Sequence, residues 1–317
     1  MRAVFLDLSS LGPSDLDFTA LQACADELVT YDHTNPQQVV DRLQGADIAI
    51  VNKVVLNAEI LAQLPQLKHI QVAATGTNNI DLVQAQKQNI SVQNCQAYGV
   101  DSVAQHALML MLTLSTRLLD YREAIQAGQW SQSRNFCLLD FPVESLAGKT
   151  LGIVGYGELG KGVAKLAEAF GMGVIISTRP GQASYDDRLS LDELLPQVDI
   201  LSLHCPLTPE TQNLIALPQL QAMKSSALLI NCARGGIVNE ADLIVALQNQ
   251  DIAGAATDVL SVEPPPADHP LLQYQANNLI ITPHSAWASR KARQTIVQQL
   301  ANNVLSLATS DAQFLVQ

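Results

Sequence analysis

Thr150-Leu-Gly-Ile-Val-Gly-Tyr-Gly-Glu-Leu-Gly-Lys-Gly162 is the stretch that decides the fold. Leu151–Val154 is short and apolar and reads as a buried strand, and a helix is predicted over Leu159–Phe170. Between them Gly155, Gly157 and Gly160 make G-x-G-x-x-G, with Tyr156, Glu158 and Leu159 inside the loop. The pattern is weak alone and gains meaning between a strand and a helix. Gly155 permits a tight turn, Gly157 lets the backbone approach a pyrophosphate, and Gly160 lets helix and strand pack closely. The helix N-terminus then offers unpaired N–H groups to phosphates. The alternative is a glycine-rich turn without a ligand.

Outward from this loop, short apolar runs alternate with longer amphipathic ones, the signature of βαβ units. Downstream the predicted strands are Leu151–Val154, Val174–Ser177, Ile200–Leu203, Leu228–Asn231, Ala253–Thr257 and Leu279–Ile281. Together they match the strand count of a dinucleotide-binding sheet. Upstream, Ala3–Leu6, Leu28–Tyr31, Ile48–Val51, His69–Ala73 and Ile90–Val92 read as strands, with helices such as Pro36–Leu43 and Ile80–Gln88 between them. The expected fold is α/β, with two doubly wound parallel-sheet domains. A long helix is expected from Ser102, capped by Asp101. Its apolar part, Ala107–Leu119, is too short to span a bilayer and reads as a buried or interface helix. A last helix is expected over Ala288–Leu307, and Glu263-Pro-Pro-Pro266 is a stiff turn. Gly128–Gly148 has no clear period yet holds Trp130, Phe136 and Phe141. Such a long irregular stretch is ordered by contacts, a partner subunit among the candidates, or is a linker; linkers are usually polar.

The 317 residues carry a net charge of −12 and no clustered basic face, which argues against nucleic acid and anionic membranes as partners. The five cysteines form no C-x-x-C pair and are odd in number, so reduced, buried thiols of a cytoplasmic protein are expected, and no metal site. The first residues, MRAVFLDLSS, contain no apolar signal core.

The strand after the glycine loop ends at Ser177-Thr-Arg-Pro180. NAD binders usually place an acid there to accept from the ribose 2′-hydroxyl. Thr178 and Arg179 are instead suited to a 2′-phosphate, so the residue types lean toward NADP(H) over NAD(H). The alternatives are a solvated Arg179, or one stacked on adenine in an NAD site.

Three ionisable residues follow the ends of later strands: Arg234, Glu263 and His284. Ligands of such sheets bind beyond those ends. Reduction of a ketone by hydride needs a cation for a carboxylate and the carbonyl, a proton donor, and a carboxylate behind the donor. Arginine binds planar anions with its fork, histidine titrates near working pH, and a paired glutamate orients the ring and favours its charged form. Singly, each has a plain structural explanation. Together, behind a dinucleotide loop, they support one another.

The sequence resembles the D-isomer-specific 2-hydroxyacid dehydrogenases over nearly its whole length. The residues that carry the resemblance are Ala73–Asp81, Gly155–Gly160, His204-Cys-Pro-Leu-Thr-Pro-Glu-Thr211, Asn231-Cys-Ala-Arg-Gly-Gly236, Asp258–Pro265 and Thr282-Pro-His-Ser-Ala-Trp287. It looks most like the glycerate dehydrogenase/hydroxypyruvate reductase branch, on Thr-Gly-Thr-Asn-Asn (75–79), Asn-Phe-Cys (135–137) and the segment Ala286–Arg293. The resemblance implies that Arg234 binds the substrate carboxylate and keto oxygen, and that His284 delivers the proton with Glu263 behind it. It implies that the backbone of Ala74, Thr75 and Gly76 holds the carboxylate, with Asn52 or Lys53 near the substrate's other end. Gly155, Tyr156, Gly157, Glu158, Leu159, Gly160, Thr178, Arg179, His204, Cys205, Pro206, Thr211, Cys232, Ala233, Asp258 and His284 would line the cofactor. Residues 1–99 and 286–317 would form a discontinuous substrate-binding domain, and 100–285 the coenzyme domain. Residues 128–148 would be an arm reaching the partner of a homodimer. Trp287 either walls the substrate pocket or packs the last helix. The alternatives in function are another 2-keto acid, such as that of lactate or 3-phosphoglycerate, or a non-catalytic nicotinamide-dinucleotide sensor. The departure is Thr178-Arg179, where many relatives carry an acid.

Overall fold

The computed structural model describes residues 1–307 of the chain; 308–317 of the expected segment 286–317 lie outside the described residues. The chain forms two compact units, Met1–Tyr98 with the segment from Ala288, and Gly99–Trp287.

The first unit holds β1 (Arg2–Phe5), β2 (Glu27–Thr30), β3 (Ile48–Val51), β4 (His69–Val72) and β5 (Ser91–Asn94). All pair in parallel, in the order β2-β1-β3-β4-β5. That order is flavodoxin-like, with its topological switch point between β1 and β3. Ile48, Ala49, Ile50 and Val51 of the central strand are all buried, as parallel strands covered on both faces must be. Pro36–Leu43 is a short 3-10 turn at Pro36–Gln38 running into a helix at Val39–Leu43, because Pro36 opens it and the Gln38 side chain accepts from Asn35 N at 3.1 Å. The helix Arg290–Leu307 closes this unit, burying Ile296, Val297, Leu300 and Val304.

The second unit holds β6 (Thr150–Val154), β7 (Gly173–Ser177), β8 (Arg188–Leu189), β9 (Ile200–Leu203), β10 (Leu228–Asn231), β11 (Gly254–Thr257) and β12 (Leu279–Ile281). Its strands also pair in parallel, in the order β12-β11-β10-β9-β6-β7-β8. This is the dinucleotide-binding arrangement extended by one strand, with the switch point between β6 and β9. The expectation of six strands is corrected to seven: β8 spans two residues, too few to show a period. The helix Glu158–Ala169 follows the glycine loop.

The helix Val100–Ser115 packs on that helix and on β10 and β11. Its N-cap is Gly99, with no side-chain cap, so the expected cap at Asp101 is corrected: Asp101 lies inside the first turn. The apolar run expected to continue to Leu119 breaks after Ser115. Arg117 there has φ 53°, and a separate helix runs over Leu118–Gln126. Within 128–148 only Gln129–Gln132 is helical. Tyr121 donates to the carbonyl of Phe141 at 2.7 Å, and the two rings meet edge to face with centroids 5.2 Å apart. No helix among the described residues is long and apolar enough to cross a membrane.

Candidate active site

Because every strand of the second sheet is parallel, the segments that follow β6, β7, β9, β10, β11 and β12 leave from one edge. Those segments carry Gly155–Gly160, Thr178–Arg179, His204–Thr211, Cys232–Arg234, Asp258–Glu263 and His284.

The glycine loop sits at the switch point. Gly155 has φ +96°, and a Cβ there would stand 2.5 Å from the backbone of His204 and Cys205. A Cβ on Gly160 would stand 2.2 Å from the Gly155 carbonyl oxygen. Both positions are closed to a side chain by backbone. A Cβ on Gly157 would meet nothing within 4 Å, so this glycine fronts open space at the start of the helix Glu158–Ala169. Two closed glycines supporting an open one before a helix N-terminus make a cradle that fits a dinucleotide pyrophosphate. Glu158 is exposed and ion-pairs with Lys161 at 3.2 Å. Tyr156 lies under the Arg188 guanidinium, 6.0 Å from its ring centroid.

Thr178 is buried, and its hydroxyl donates to the carbonyl of Gln182 at 2.9 Å. Its only proton is thus committed within its own turn, whereas Arg179 is exposed. His204 holds Ser202 Oγ through Nε2 at 2.8 Å, and its Nδ1 is buried without a partner among the described residues. Burial lowers the His204 pKa to about 4, so the ring is neutral. Cys205 is pushed up to about 11 by burial, and Cys232 still higher by burial and then by Asp258. Both are neutral thiols that pack, with no nucleophilic character. Thr211 Oγ1 donates to the Pro206 carbonyl at 2.7 Å and closes the His204–Thr211 loop.

Arg234 is exposed, and Nη1 bonds the Ala233 carbonyl at 2.7 Å. Its turn is held by Asn231, whose side chain accepts from Ala233 N and donates to the Arg234 carbonyl, each at 3.1 Å. Gly235 brings this turn against the next: a Cβ on it would stand 1.9 Å from the Leu260 carbonyl oxygen. Leu260 N in turn donates to Glu263 Oε1 at 2.8 Å. Glu240 braces the same loop, accepting from Ser261 N at 2.7 Å and Ser261 Oγ at 2.8 Å.

Glu263 Oε2 lies 2.6 Å from His284 Nδ1, with both side chains about a third exposed at 34% and 29%. A carboxylate only accepts, so Nδ1 carries the hydrogen and Nε2 is left to exchange a proton. His284 has φ 52°, a backbone shape that side chains with a Cβ disfavour. It is held there by its own N–H, which bonds the Asp258 carbonyl at 2.8 Å and the Thr282 carbonyl at 3.0 Å. Trp287 is half-buried and packs beside Gly99, 3.6 Å from where a Cβ would be.

In the first unit, Asn52 and Lys53 follow β3, and Ala74, Thr75 and Gly76 follow β4. Asp7, just beyond β1, accepts from Asn52 N at 2.9 Å, Lys53 N at 2.6 Å and Val54 N at 3.1 Å. Its carboxylate therefore spans the β1/β3 switch point. Asn52 Nδ2 donates to Ser10 Oγ at 3.0 Å. Asn94 Nδ2 holds the Thr75 carbonyl at 2.7 Å, and Cys95 N the Ala74 carbonyl at 3.1 Å. Sequence reasoning missed Asp7, Asn231 and Glu240. Asp7 carries the same strand-end signal that picked out Arg234 and His284.

Residues 108–286 match the model of the D-isomer specific 2-hydroxyacid dehydrogenase, NAD binding domain. The chain is 43% identical to a glycerate dehydrogenase of Methylorubrum extorquens, over all of this chain and 99% of that one. It is 35% identical to a hydroxypyruvate reductase of Blautia hydrogenotrophica, over 96% of each. Among solved structures, an acyclic imino acid reductase in complex with NADPH and D-Arg superposes with a TM-score of 0.86 at 27% identity, over the full length of both chains. The parallel sheets, the glycine cradle and these full-length matches agree, and the chain belongs to the D-isomer-specific 2-hydroxyacid dehydrogenase family, on its glycerate dehydrogenase/hydroxypyruvate reductase branch: an oxidoreductase of CH–OH groups that uses a nicotinamide cofactor.

Proposed function

We propose that the chain reduces hydroxypyruvate, and glyoxylate less specifically, and in reverse oxidises D-glycerate. The observation that carries the chemistry is the 2.6 Å contact between His284 Nδ1 and Glu263, on a loop whose backbone is fixed at both ends. Glu263 holds the ring in the tautomer that leaves Nε2 to give a proton to the forming alkoxide and to take it back in oxidation. Arg234 is the cation for the substrate carboxylate and keto oxygen; its exposed fork suits a planar anion. In the first unit the backbone of Ala74–Gly76 is the candidate carboxylate holder, with Asn52 or Lys53 the candidate for the substrate's other end. Trp287 takes the packing role that its place beside Gly99 supports.

A nicotinamide dinucleotide, when bound, supplies the hydride that adds to the keto carbon. Gly155–Gly160 would cradle its pyrophosphate, and the loops at Thr178–Arg179, His204–Thr211, Cys232–Ala233 and Asp258 would line the rest. NADPH is the preferred reductant in this reading. Arg179 is exposed at the end of β7, and no carboxylate occupies that position. The arm 128–148 is read as a homodimer contact: Phe136 is 92% and Leu139 84% exposed, apolar surface that a second copy would cover. Five free thiols fit a reducing, cytoplasmic setting.

The test is oxidation of NADPH and NADH by the full chain with hydroxypyruvate, glyoxylate, pyruvate and 3-phosphohydroxypyruvate in parallel, alongside His284→Ala and Arg179→Ala. Hydroxypyruvate should turn over fastest. His284→Ala should keep cofactor binding and lose about 10²–10⁴-fold in kcat. Arg179→Ala should raise the KM for NADPH and spare that for NADH. Cofactor binding without turnover on any keto acid would make the protein a sensor and overturn the reading.

A further inference from the structure

His106, on the buried side of the helix Val100–Ser115, takes no part in the proposed chemistry, yet it touches the loop that carries His284. The link runs through Asp258, whose side chain is 1% exposed. Asp258 Oδ1 receives Ser285 N at 2.9 Å and Thr282 Oγ1 at 2.5 Å, and Oδ2 receives Ala286 N at 2.9 Å. One carboxylate thus holds residues on both sides of His284. Thr282 Oγ1 also lies 3.0 Å from His106 Nε2, and that nitrogen is 3.6 Å from Asp258 Oδ1.

The proton inventory fixes the direction of the chain. A threonine hydroxyl has one hydrogen, and the short contact to a carboxylate, which can only accept, commits it there. Thr282 must then accept from His106, so His106 carries its hydrogen on Nε2. Burial lowers the His106 pKa while Asp258 opposes the shift, which fits a neutral ring donating from Nε2. Cys232, from the segment after β10, also faces Asp258, and burial keeps it a neutral thiol.

We propose that His106 is a positioning residue: by donating to Thr282 it locks the hydroxyl onto Asp258 and so holds the His284 loop in its left-handed turn. Without that donor the Thr282 hydroxyl can rotate away, Asp258 loses one of its contacts, and the loop relaxes about Thr282–Ala286. The consequence falls on turnover more than on binding, because the affected geometry is the aim of the ring. This inference rests on His284 as the general acid.

The experiment compares His106→Leu, His106→Gln, Thr282→Val, the His106→Leu/Thr282→Val double variant and His284→Ala in the full chain, with kcat and KM for hydroxypyruvate and reduced cofactor and with melting temperature. Glutamine places an amide N–H where the imidazole Nε2–H stood. His106→Leu should lower kcat about 10-fold to 100-fold, the usual range for lost support of a site residue, with KM for cofactor unchanged within about twofold. His106→Gln should recover kcat to within about threefold of the parent. His106→Leu added to Thr282→Val should cost nothing more than Thr282→Val alone, since both break the same link. Should His106→Leu fail to fold, the glutamine variant and Thr282→Val carry the test. Equal impairment in the leucine and glutamine variants, additive loss in the double variant, or unchanged kcat in His106→Leu overturns the proposal. Full activity in His284→Ala instead overturns the general acid, and the two failures are thereby told apart.

Discussion

Replacing Gly235 by alanine puts a methyl group into backbone. Its Cβ would lie 1.9 Å from the Leu260 carbonyl oxygen, 2.1 Å from its carbon and 2.5 Å from Ser261 N. None of these atoms is the end of a flexible side chain. Contacts below 3.0 Å are essentially never seen, so the Leu260–Ser261 peptide must retreat by about 1 Å. Leu260 N is bonded to Glu263 Oε1, and Glu263 Oε2 to His284, so the displacement reaches the proposed proton donor in two steps. Misplacement of about 1 Å in a catalytic group costs on the order of 10²-fold in rate. Overpacking costs about 1–3 kcal/mol of stability. Gly235→Ala should therefore fold with a lowered denaturant midpoint and lose about 100-fold in kcat, with its cofactor KM held. Gly157→Ala is the contrast. Its Cβ meets no protein atom within 4 Å, so stability should be kept while cofactor KM rises. Urea titration and steady-state kinetics on both variants decide the matter. A Gly235→Ala enzyme with parental kcat would show that the Arg234 turn and the Glu263 loop move independently, and would refute the coupling.

Two other expectations concern Asp7 and His204. Asp7→Asn replaces an oxygen that accepts backbone N–H groups by an amide N–H₂ facing them. It should destabilise the chain by about 1–3 kcal/mol and raise KM for the keto acid without moving KM for cofactor; equal changes in both would remove Asp7 as the organiser of the Asn52–Val54 loop. Stability should also fall on mild acidification. The folded His204 pKa is about 4 against an ordinary 6.5, so between these values the unfolded chain takes up a proton that the native chain refuses. The loss is complete near pH 4 and amounts to roughly 3 kcal/mol from this ring. His69 and His106, also lowered by burial, act with the same sign. Urea midpoints measured from pH 7 down to pH 4.5 should decline more steeply in the parent than in His204→Asn; parallel curves would remove His204 as the cause.

The strands were legible because parallel sheets covered on both faces bury continuous apolar runs; Ile48–Val51, Ile200–Leu203, Leu228–Asn231 and Leu279–Ile281 are found where the runs predict them. The place of the glycine loop between a strand and a helix was legible from its motif, and so was the position of Arg234, Glu263 and His284 after strand ends; their roles belong to the proposed function. The second strand edge at Arg188–Leu189 was not, since two residues carry no alternation. Nor was Gly99 as the cap of the long helix: Asp101 has the chemistry of a cap, but the helix begins before it. The supporting residues were the least visible. Asp7 reaches backbone 45 to 47 positions away, Glu240 reaches Ser261, and His106 reaches Thr282 across 176 positions. Nothing local marks Glu240 or His106, and the strand-end position of Asp7 does not reveal the backbone it holds, because these partners are main-chain groups or hydroxyls brought near only by the sheet.

The order of strands in the second sheet has a consequence for how such a protein can diversify. The segments proposed to carry the chemistry follow β10, β11 and β12, neighbours at one end, while Arg179 follows β7 and Arg188 lies in β8 at the other. From β7 to β10 there are three strand steps, roughly 14 Å at the usual spacing of about 4.8 Å. Effects of changes so far apart usually add. Under the proposed roles, a lineage or a protein engineer can therefore exchange the currency of reducing power at one margin of the sheet while the acid–base apparatus at the other margin is inherited intact.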